Sequence, residues 1–510
     1  MPGAARVSIR AGIPLGRRRH PKEGVNCPTH RRGVDRVLER GSTPASIASR
    51  LNRLPITRTH KVAIAIIGLG LFFDVYEIFL AGTLGAVLKR DFGLDSNELK
   101  AVLASAFVGQ FIGAIVLGRM ADAVGRRRAF LVNIAIYSFF SVICGLAPNV
   151  EVLVLARFLA GLGIGAELAL ADTYLSDLLP ARSRGRYLAL AYTISFLAVP
   201  VVGFSARGLV NESPLGLDGW RWLFLLGGIG AVLVWLLRRR LPESPRWLEA
   251  VGRRDEAERL VLQMEAEARE SLPAGRALPE PSLDEQPAST DRLPYRLLFR
   301  APYTRRTIML WTMNILEVFG YYGFGALVPL ILVAKGFSVV TSLTYLSFAF
   351  IGYPIGSAIS LPIMERFERK WIITASSLGM AAAGLFFGYS TTASTIIASG
   401  FVFTLVSNIF SNAFHVYQAE LYPTRARATA SGAAYSLSRL STAVLPYILI
   451  PVLDHRGPTA VFVVVAVALS VLSVVVGLLG PRVTGEPLEI VNTDVEEVPP
   501  DDRRAAVSGV

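Results

Sequence analysis

Twelve continuous apolar stretches, each near the length of a membrane-spanning helix, dominate this chain of 510 residues. A helix needs about 20 apolar residues to cross about 30 Å of hydrocarbon. Lipid offers backbone groups no other partner, so helices are the expected form, whereas barrel strands would alternate polar and apolar residues. We number the stretches spans 1 to 12, and they lie near 62–88, 99–118, 129–147, 152–175, 187–210, 220–238, 305–333, 341–362, 371–389, 394–416, 430–452 and 459–480.

The composition does not fit a soluble protein. Only 18% of the residues are charged and 52% are hydrophobic, whereas soluble proteins carry about 25% charged residues. This balance excludes a disordered chain and a coiled coil, and it argues against a soluble multidomain enzyme. The net charge of +13 is concentrated in residues 1–61, where 14 Lys and Arg face three acids without interleaved aromatic residues. Nucleic acid is therefore not an expected partner.

Loop charges predict the orientation of the chain. Arginine-rich loops follow spans 2, 4, 8 and 10, so the positive-inside rule places these loops and both termini in the cytoplasm of a plasma-membrane protein. Whether residues 1–42 belong to the natural protein is left open. The hydropathy pattern predicts a basic leader at 1–61, a six-helix bundle at 62–238, a polar central segment at 239–304, a second bundle at 305–480 and an acidic tail at 481–510.

The two halves repeat each other at a constant offset of 243 positions. Asp74 in span 1 matches Glu317 in span 7, and charged loop residues match at the same spacing. These matches indicate a six-plus-six parallel repeat, and such repeats place a binding site between the halves near the bilayer midplane. The loop matches pair Asp122 with Glu365, Arg126 with Arg369, Asp177 with Glu420 and Arg182 with Arg425.

Four motifs resemble those of the major facilitator superfamily, in its sugar-transporter-like branch. The resemblance implies an all-α membrane protein with twelve transmembrane helices in two pseudo-symmetric six-helix bundles. The motifs are the loop 118–128 (Gly-Arg-Met-Ala-Asp-Ala-Val-Gly-Arg-Arg-Arg), the span 4 stretch 157–165 (Arg-Phe-Leu-Ala-Gly-Leu-Gly-Ile-Gly), and the segments 242–248 and 420–428.

The residues of span 1 indicate which group of transporters within this branch the chain resembles most. Its Asp74-Val75-Tyr76-Glu77 is similar to the Asp-Gly-aromatic-Asp pattern of aromatic-acid and niacin-type metabolite:proton symporters, with Val and Glu at the two positions that differ. Sugar porters match less well, because spans 7 and 10 lack most of their signature residues. Drug:proton antiporters also match less well, because span 5 lacks their glycine-rich motif.

The acids of span 1 are the candidates for proton coupling. An ionisable residue at the bilayer centre costs about 2.5–3.5 kcal/mol on insertion scales, yet Asp74 and Glu77 lie three residues apart on one helical face. Close carboxylates repel, so we expect at least one to hold a proton near neutral pH. The resemblance implies that Arg157 in span 4 is their partner. The alternative is a purely structural network of buried ions.

The candidate substrate cavity is drawn from spans 4, 7 and 10. Aromatic faces and amides suit a flat substrate with polar edges, and Glu317, the repeat mate of Asp74, is a candidate for a second proton or substrate contact. Aromatic packing and a neutral, hydrogen-bonded histidine are the competing interpretations. The candidates are Glu167, Asn314, Glu317, Tyr321, Tyr322, Asn408, Asn412 and His415.

The loop motifs predict gating rather than substrate recognition. Gly118 and Gly125 are expected to allow close helix approach and a sharp turn. The resemblance implies a cytoplasmic charge network that closes the inner side and breaks when that side opens. The gating set is Gly118, Asp122, Gly125, Arg126, Glu243, Arg246, Glu420 and Arg425.

These features predict a secondary active transporter rather than an enzyme. The expected cargo is a small organic metabolite, with an aromatic or heteroaromatic acid favoured, moved by proton-coupled alternating access. No nucleotide, metal or catalytic motif is found, so no cofactor is expected. The expected partners are the substrate, protons and the lipid bilayer, and a monomer suffices for the fold. Two alternatives stay open: a sugar or polyol porter, including a facilitative one, and a non-transporting membrane receptor with a transporter fold.

Overall fold

The structure is a computed structural model, and it describes residues 46–273, 277–281, 298–299, 303–422 and 424–482. Most of the predicted basic leader, the linker that follows the central helices, and most of the acidic tail lie outside this part. The expectations for those segments therefore stay predictions.

Twelve helices among the described residues are long and apolar enough to cross a membrane, which confirms the predicted number. Most extend beyond the apolar stretches, because polar residues at their ends continue the helix. The twelve spans are Arg58–Asp91, Ser96–Ala121, Arg126–Gly145, Val150–Leu178, Arg184–Leu209, Gly219–Arg238, Tyr303–Ala334, Val339–Met364, Arg369–Tyr389, Ala393–Gln418, Ala430–Arg456 and Pro458–Leu479.

Span 4 is interrupted near its centre. Its first helix is Val150–Ile164 and its second is Glu167–Leu178. The break places Glu167 in the first turn of a helix, where the helix dipole favours a negative charge. Spans 5 and 8 are also each built of two helices, namely Arg184–Phe196 with Ala198–Leu209 and Val339–Phe350 with Gly352–Arg366.

Spans 1 to 6 pack together as one bundle and spans 7 to 12 as a second. Between the bundles, span 2 packs against span 11, span 5 against span 8, and span 1 against span 7. Within the first bundle, a Cβ on Gly161 of span 4 would overlap the backbone of Ala106 in span 2. Small residues allow membrane helices to approach this closely, which gives the glycines of the span 4 motif a packing role.

Among the described residues, three α-helices outside the spans lie at the end of the molecule where span 1 begins and span 6 ends. We call this end the basic end. The central segment contributes Pro245–Ala250 and Arg254–Ser271. The third helix, Ile47–Asn52, belongs to the region predicted as leader.

The helix Ile47–Asn52 is held against the central segment by ion pairs. Arg50 Nε lies 2.9 Å and Arg53 Nη2 lies 2.6 Å from Glu265 Oε1. Burial alone would raise the pKa of the Glu265 carboxyl, but hydrogen bonds from these two arginines hold it below its ordinary value. The last residues before span 1 are therefore an ordered part of the fold.

Equivalent ion pairs in the two bundles follow the sequence repeat. In the first bundle, Arg126 Nε lies 3.9 Å from an oxygen of Asp177. In the second, Arg369 Nε lies 3.4 Å from Glu420 Oε2. Each pair joins the start of a third helix to the end of a fourth, and both members are shifted by the offset of 243 positions.

Candidate functional site

A cavity that is partly open to solvent lies between the two bundles. Spans 1, 4, 5, 7, 10 and 11 line it. Its wall is largely aromatic, which suits a flat ligand. Four of the predicted cavity residues lie on this wall: Glu317, Tyr321, Tyr322 and His415.

The cavity also carries a cation that sequence reasoning missed. Arg439 of span 11 is 2% exposed, and it donates hydrogen bonds to the hydroxyls of Tyr322, at 2.5 Å, and Tyr435. Its guanidinium also lies over both rings, 5.4 and 4.5 Å from their centroids. No carboxylate among the described residues forms an ion pair with it. A desolvated guanidinium of this kind can bind a planar carboxylate through its two-pronged donor edge.

A carboxyl group lies beside this arginine. Ser438, the neighbour of Arg439 in sequence, donates a 2.7 Å hydrogen bond to Glu317 Oε1. Glu317 is 7% exposed and lines the same cavity. The cavity therefore places a carboxyl group and a guanidinium close together, on spans 7 and 11.

Two side chains from different bundles stack on the side of the cavity nearer the basic end. The rings of Tyr192 in span 5 and His415 in span 10 are 6.1 Å apart and nearly parallel, at 11°. Tyr192 also donates a 2.8 Å hydrogen bond to Asp172. Both residues line the cavity, so the stack joins the two bundles at its wall.

Aromatic side chains close the opposite side of the cavity. The Phe79 ring of span 1 meets Tyr321 at 6.0 Å, Phe350 at 5.8 Å and Tyr353 at 5.4 Å, all edge to face. Beyond this cluster, a Cβ on Gly82 would overlap the backbone of Ala326 in span 7. The bundles are thus in close contact on this side.

Four predicted cavity residues do not line the cavity. Each faces a neighbouring helix and makes a hydrogen bond there. The sequence does not fix which face of a helix turns inwards, so these residues were not distinguishable from cavity residues. Asn314 donates to Gln418 Oε1 at 3.1 Å, Asn408 to the Tyr353 carbonyl at 2.5 Å, Asn412 to Ser360 Oγ at 2.7 Å, and Glu167 accepts from Arg238.

The predicted trio of Asp74, Glu77 and Arg157 does not form one cluster, because only Glu77 pairs with Arg157. Glu77 Oε1 lies 3.5 Å from Arg157 Nη1, and both side chains are at most 2% exposed. Arg157 Nε donates to the Val102 carbonyl at 3.0 Å. Asp74 instead lies within reach of the charges of Glu167 and Arg238. All of these groups lie inside the first bundle and outside the cavity wall.

The predicted gating residues of the first bundle cluster at the basic end. Gly125 adopts a φ of 102° between spans 2 and 3, a backbone conformation that favours glycine. Glu243 accepts hydrogen bonds from the backbone N–H groups of Arg127 and Ser244 at 3.1 and 3.0 Å. Arg246 donates to Asn52 Oδ1 at 2.9 Å.

Three other predicted gating residues are Gly118, whose surroundings differ from the expectation, and Asp122 and Arg425. A Cβ on Gly118 would meet no atom within 4 Å, so the close helix approach expected there is not present. The side chains of Asp122 and Arg425 lie outside the described part of the chain.

The family model for "Sugar (and other) transporter" matches residues 62–495. This chain belongs to that family. The metabolite transport protein YyaJ of Bacillus subtilis is 32% identical over 397 residues, which is 78% of this chain and 87% of YyaJ. The niacin transporter NiaP of Acinetobacter baylyi is 30% identical over 444 residues, 87% of this chain and 99% of NiaP.

A third relative and a solved structure complete the comparison. The 4-hydroxybenzoate transporter PcaK of Acinetobacter baylyi is 28% identical over 406 residues, 78% of this transporter and 85% of PcaK. The xylose transporter XylE of E. coli, in a partially occluded inward-open conformation, aligns with a TM-score of 0.68 at 18% identity, over 84% of this transporter and 99% of XylE. The predicted major facilitator fold is thereby confirmed, and the family and relatives are transporters rather than enzymes.

Proposed function

We propose that this transporter carries a small aromatic or heteroaromatic carboxylate together with protons, by alternating access. The observation that carries the proposal is Arg439, a buried guanidinium on the wall of an aromatic cavity with no carboxylate partner among the described residues. A substrate carboxylate would supply the missing charge, and the rings of Tyr322 and Tyr435 would flank its aromatic body. The relatives named for niacin and 4-hydroxybenzoate support this substrate class.

Proton coupling is assigned to the buried charges of the first bundle. Asp74, Glu77 and Arg157 are enclosed in a membrane-spanning bundle, where a change of protonation alters the balance of strong electrostatic interactions. A proton moving through 100 mV gains about 2.3 kcal/mol, enough to drive a useful gradient. Asp74 and Val75 are adjacent on span 1, and Val75 lies on the cavity wall. Span 1 is therefore suited to link protonation to the substrate cavity.

Two gates would alternate around the bound substrate. At the basic end, the Tyr192–His415 stack and the gating set around Glu243, Arg246, Asp177 and Glu420 would separate and rejoin. On the opposite side, the Phe79 cluster would open as spans 1 and 7 move apart. We place the basic end and both termini in the cytoplasm by the positive-inside rule, in the plasma membrane, and we expect the monomer to be the working unit.

Uptake into proteoliposomes tests the proposal. The purified transporter is reconstituted, and uptake of nicotinate, 4-hydroxybenzoate and xylose is measured with and without an acidic external pH. The proposal expects uptake of an aromatic acid, accelerated by external acid and accompanied by alkalinisation outside. The Asp74→Asn variant is expected to lose that acceleration. Uptake of xylose alone, with no proton movement and no effect of Asp74→Asn, would contradict the proposal and indicate a facilitative sugar porter.

A further inference from the structure

The interior of the first bundle holds an odd number of buried charges. Five charged side chains in it are at most 2% exposed: Asp74, Glu77, Arg157, Glu167 and Arg238. Three are acids and two are arginines. Glu77 and Arg157 balance each other as a pair, so two carboxylates remain for one guanidinium.

Arg238 pairs with Glu167 and lies against span 1, the helix that carries Asp74. Its Nη1 forms a hydrogen bond and an ion pair with Glu167 Oε1. Its guanidinium lies 4.5 Å from the Phe130 ring centroid and fills the space that a Cβ on Gly70 would need. Gly70 is one helical turn before Asp74 on span 1, so the guanidinium reaches the face that carries Asp74. The charges that act on Asp74 are those of Glu167 and Arg238.

We propose that Asp74 and Glu167 hold one exchangeable proton between them beside Arg238, while Glu77 and Arg157 stay ionised as a fixed pair. Asp74 Oδ2 and Glu167 Oε2 have no hydrogen-bond partner among the described residues. A buried carboxylate without a matching charge is strongly unfavourable, and one proton restores the balance. The inference rests on the proposed proton coupling and names the site that performs it.

The proton resides on Asp74 rather than on Glu167. Glu167 has the direct ion pair with Arg238 and lies in the first turn of its helix, and both favour its ionised form. The other titratable groups around Asp74 are Tyr137 of span 3, whose hydroxyl donates to the Phe73 carbonyl at 3.1 Å, and Glu77 one turn along span 1. Neither supplies a positive charge that would compensate an ionised Asp74.

This site couples to the substrate without touching it. Loss of the proton leaves an ionised Asp74 that is attracted to Arg238 on span 6. This attraction draws span 1 toward span 6 near Asp74. Val75 and Phe79 move with span 1, and both line the cavity. Proton release therefore acts on the substrate cavity through the position of one helix.

Infrared spectroscopy of the full-length transporter in lipid bilayers tests the proposal. Protonated carboxylic acids are counted by their C=O stretch, which is distinct from the amide bands of Asn and Gln. At neutral pH, Asp74→Asn and Glu167→Gln are each expected to lose one protonated acid, because Arg238 balances the carboxylate that remains. Arg238→Gln is expected to gain one. Glu151→Gln, at an exposed acid in the first turn of span 4, is the matched control and is expected to leave the count unchanged.

The outcomes separate this inference from the proposed substrate class. An unchanged count in either Asp74→Asn or Glu167→Gln would overturn the shared proton, as would the loss of a protonated acid in Glu77→Gln. Thermal unfolding of each variant identifies any that fails to fold, and either single acid variant suffices for the decision. Because no substrate is added, failure to transport nicotinate would reject the proposed function and leave the proton count intact.

Discussion

Arg439 donates a 2.5 Å hydrogen bond to the Tyr322 hydroxyl and thereby joins spans 11 and 7 on the wall of the central cavity. Ser438, the neighbour of Arg439 in sequence, donates a 2.7 Å hydrogen bond to Glu317 on the same wall. The C-terminal bundle thus supplies the charged contacts of the cavity. The N-terminal bundle keeps its own charges inside, where Glu77 pairs with Arg157. Under the proposed mechanism, this division would separate substrate recognition from proton binding.

Replacing Arg439 should weaken binding of carboxylate substrates. Hydrogen bonds to a charged group contribute about 1.5–3 kcal/mol, which corresponds to about 10- to 100-fold in affinity for Arg439→Gln. Arg439→Lys keeps the charge but loses the planar fork, so part of the affinity should return. Competition against labelled nicotinate measures both. Arg207→Gln is the control, because Arg207 only donates to Thr344 at 3.0 Å on the exposed surface; an equal effect there would contradict the assignment.

Breaking the Glu77–Arg157 pair should destabilise the protein. Glu77→Gln leaves a buried guanidinium without its counterion, and such losses cost about 3–5 kcal/mol. The double variant Glu77→Gln/Arg157→Gln removes both charges and should recover part of the loss. Thermal unfolding in detergent compares the wild type, both single variants and the double variant. A double variant that is less stable than the wild type by the sum of both single effects would show that the two residues are not coupled.

Filling the space at Gly82 should hold the transporter open on the side of the Phe79 cluster. A Cβ there would overlap the backbone of Ala326, so Gly82→Val separates spans 1 and 7 in the conformation described here. Labelling of a cysteine at Phe79 by a membrane-impermeant reagent from that side should increase. Gly93→Val is the control for added bulk, since no atom lies within 4 Å of a Cβ at that position, although its φ of 62° adds local strain. Unchanged labelling with Gly82→Val would contradict this packing.

Docking of the Ile47–Asn52 helix should depend on pH through Glu265. Hydrogen bonds from Arg50 and Arg53 hold the pKa of Glu265 below its ordinary value, although burial opposes them. A carboxyl with a depressed pKa in the folded state stabilises the fold above its ordinary pKa, about 4.3, and loses that contribution as the pH falls through the lower value. The difference in melting temperature between wild type and Glu265→Gln should therefore be full at pH 7 and shrink below about pH 4. A constant difference would contradict the ion-pair assignment.

The sequence predicts the architecture well because hydropathy and repetition act over long stretches. The twelve spans follow from apolar length, and the repeat partners Arg126 and Arg369 make equivalent ion pairs with Asp177 and Glu420. In the glycine-rich motif of span 4, Gly161 makes a close contact with the backbone of span 2.

The details of the site depend on helix rotation, which the sequence does not fix. Asn408 and Asn412 turn to neighbouring helices rather than to the cavity. Asp74 and Glu77 share a helical face by spacing, yet a difference of three residues turns them to different partners. The sequence motifs did not identify Arg439, because serines and leucines surround it in the sequence. A single arginine within a spanning stretch was the signal that could have found it.

The most direct measurement compares nicotinate with nicotinamide in proteoliposomes. The two compounds share a ring and differ in the carboxylate, so they isolate the contribution of Arg439. The account predicts that nicotinate is taken up and competes for uptake, that nicotinamide does so far more weakly, and that Arg439→Gln removes the difference. Equal recognition of the two compounds by the wild-type transporter, or a preference that survives Arg439→Gln, would contradict it.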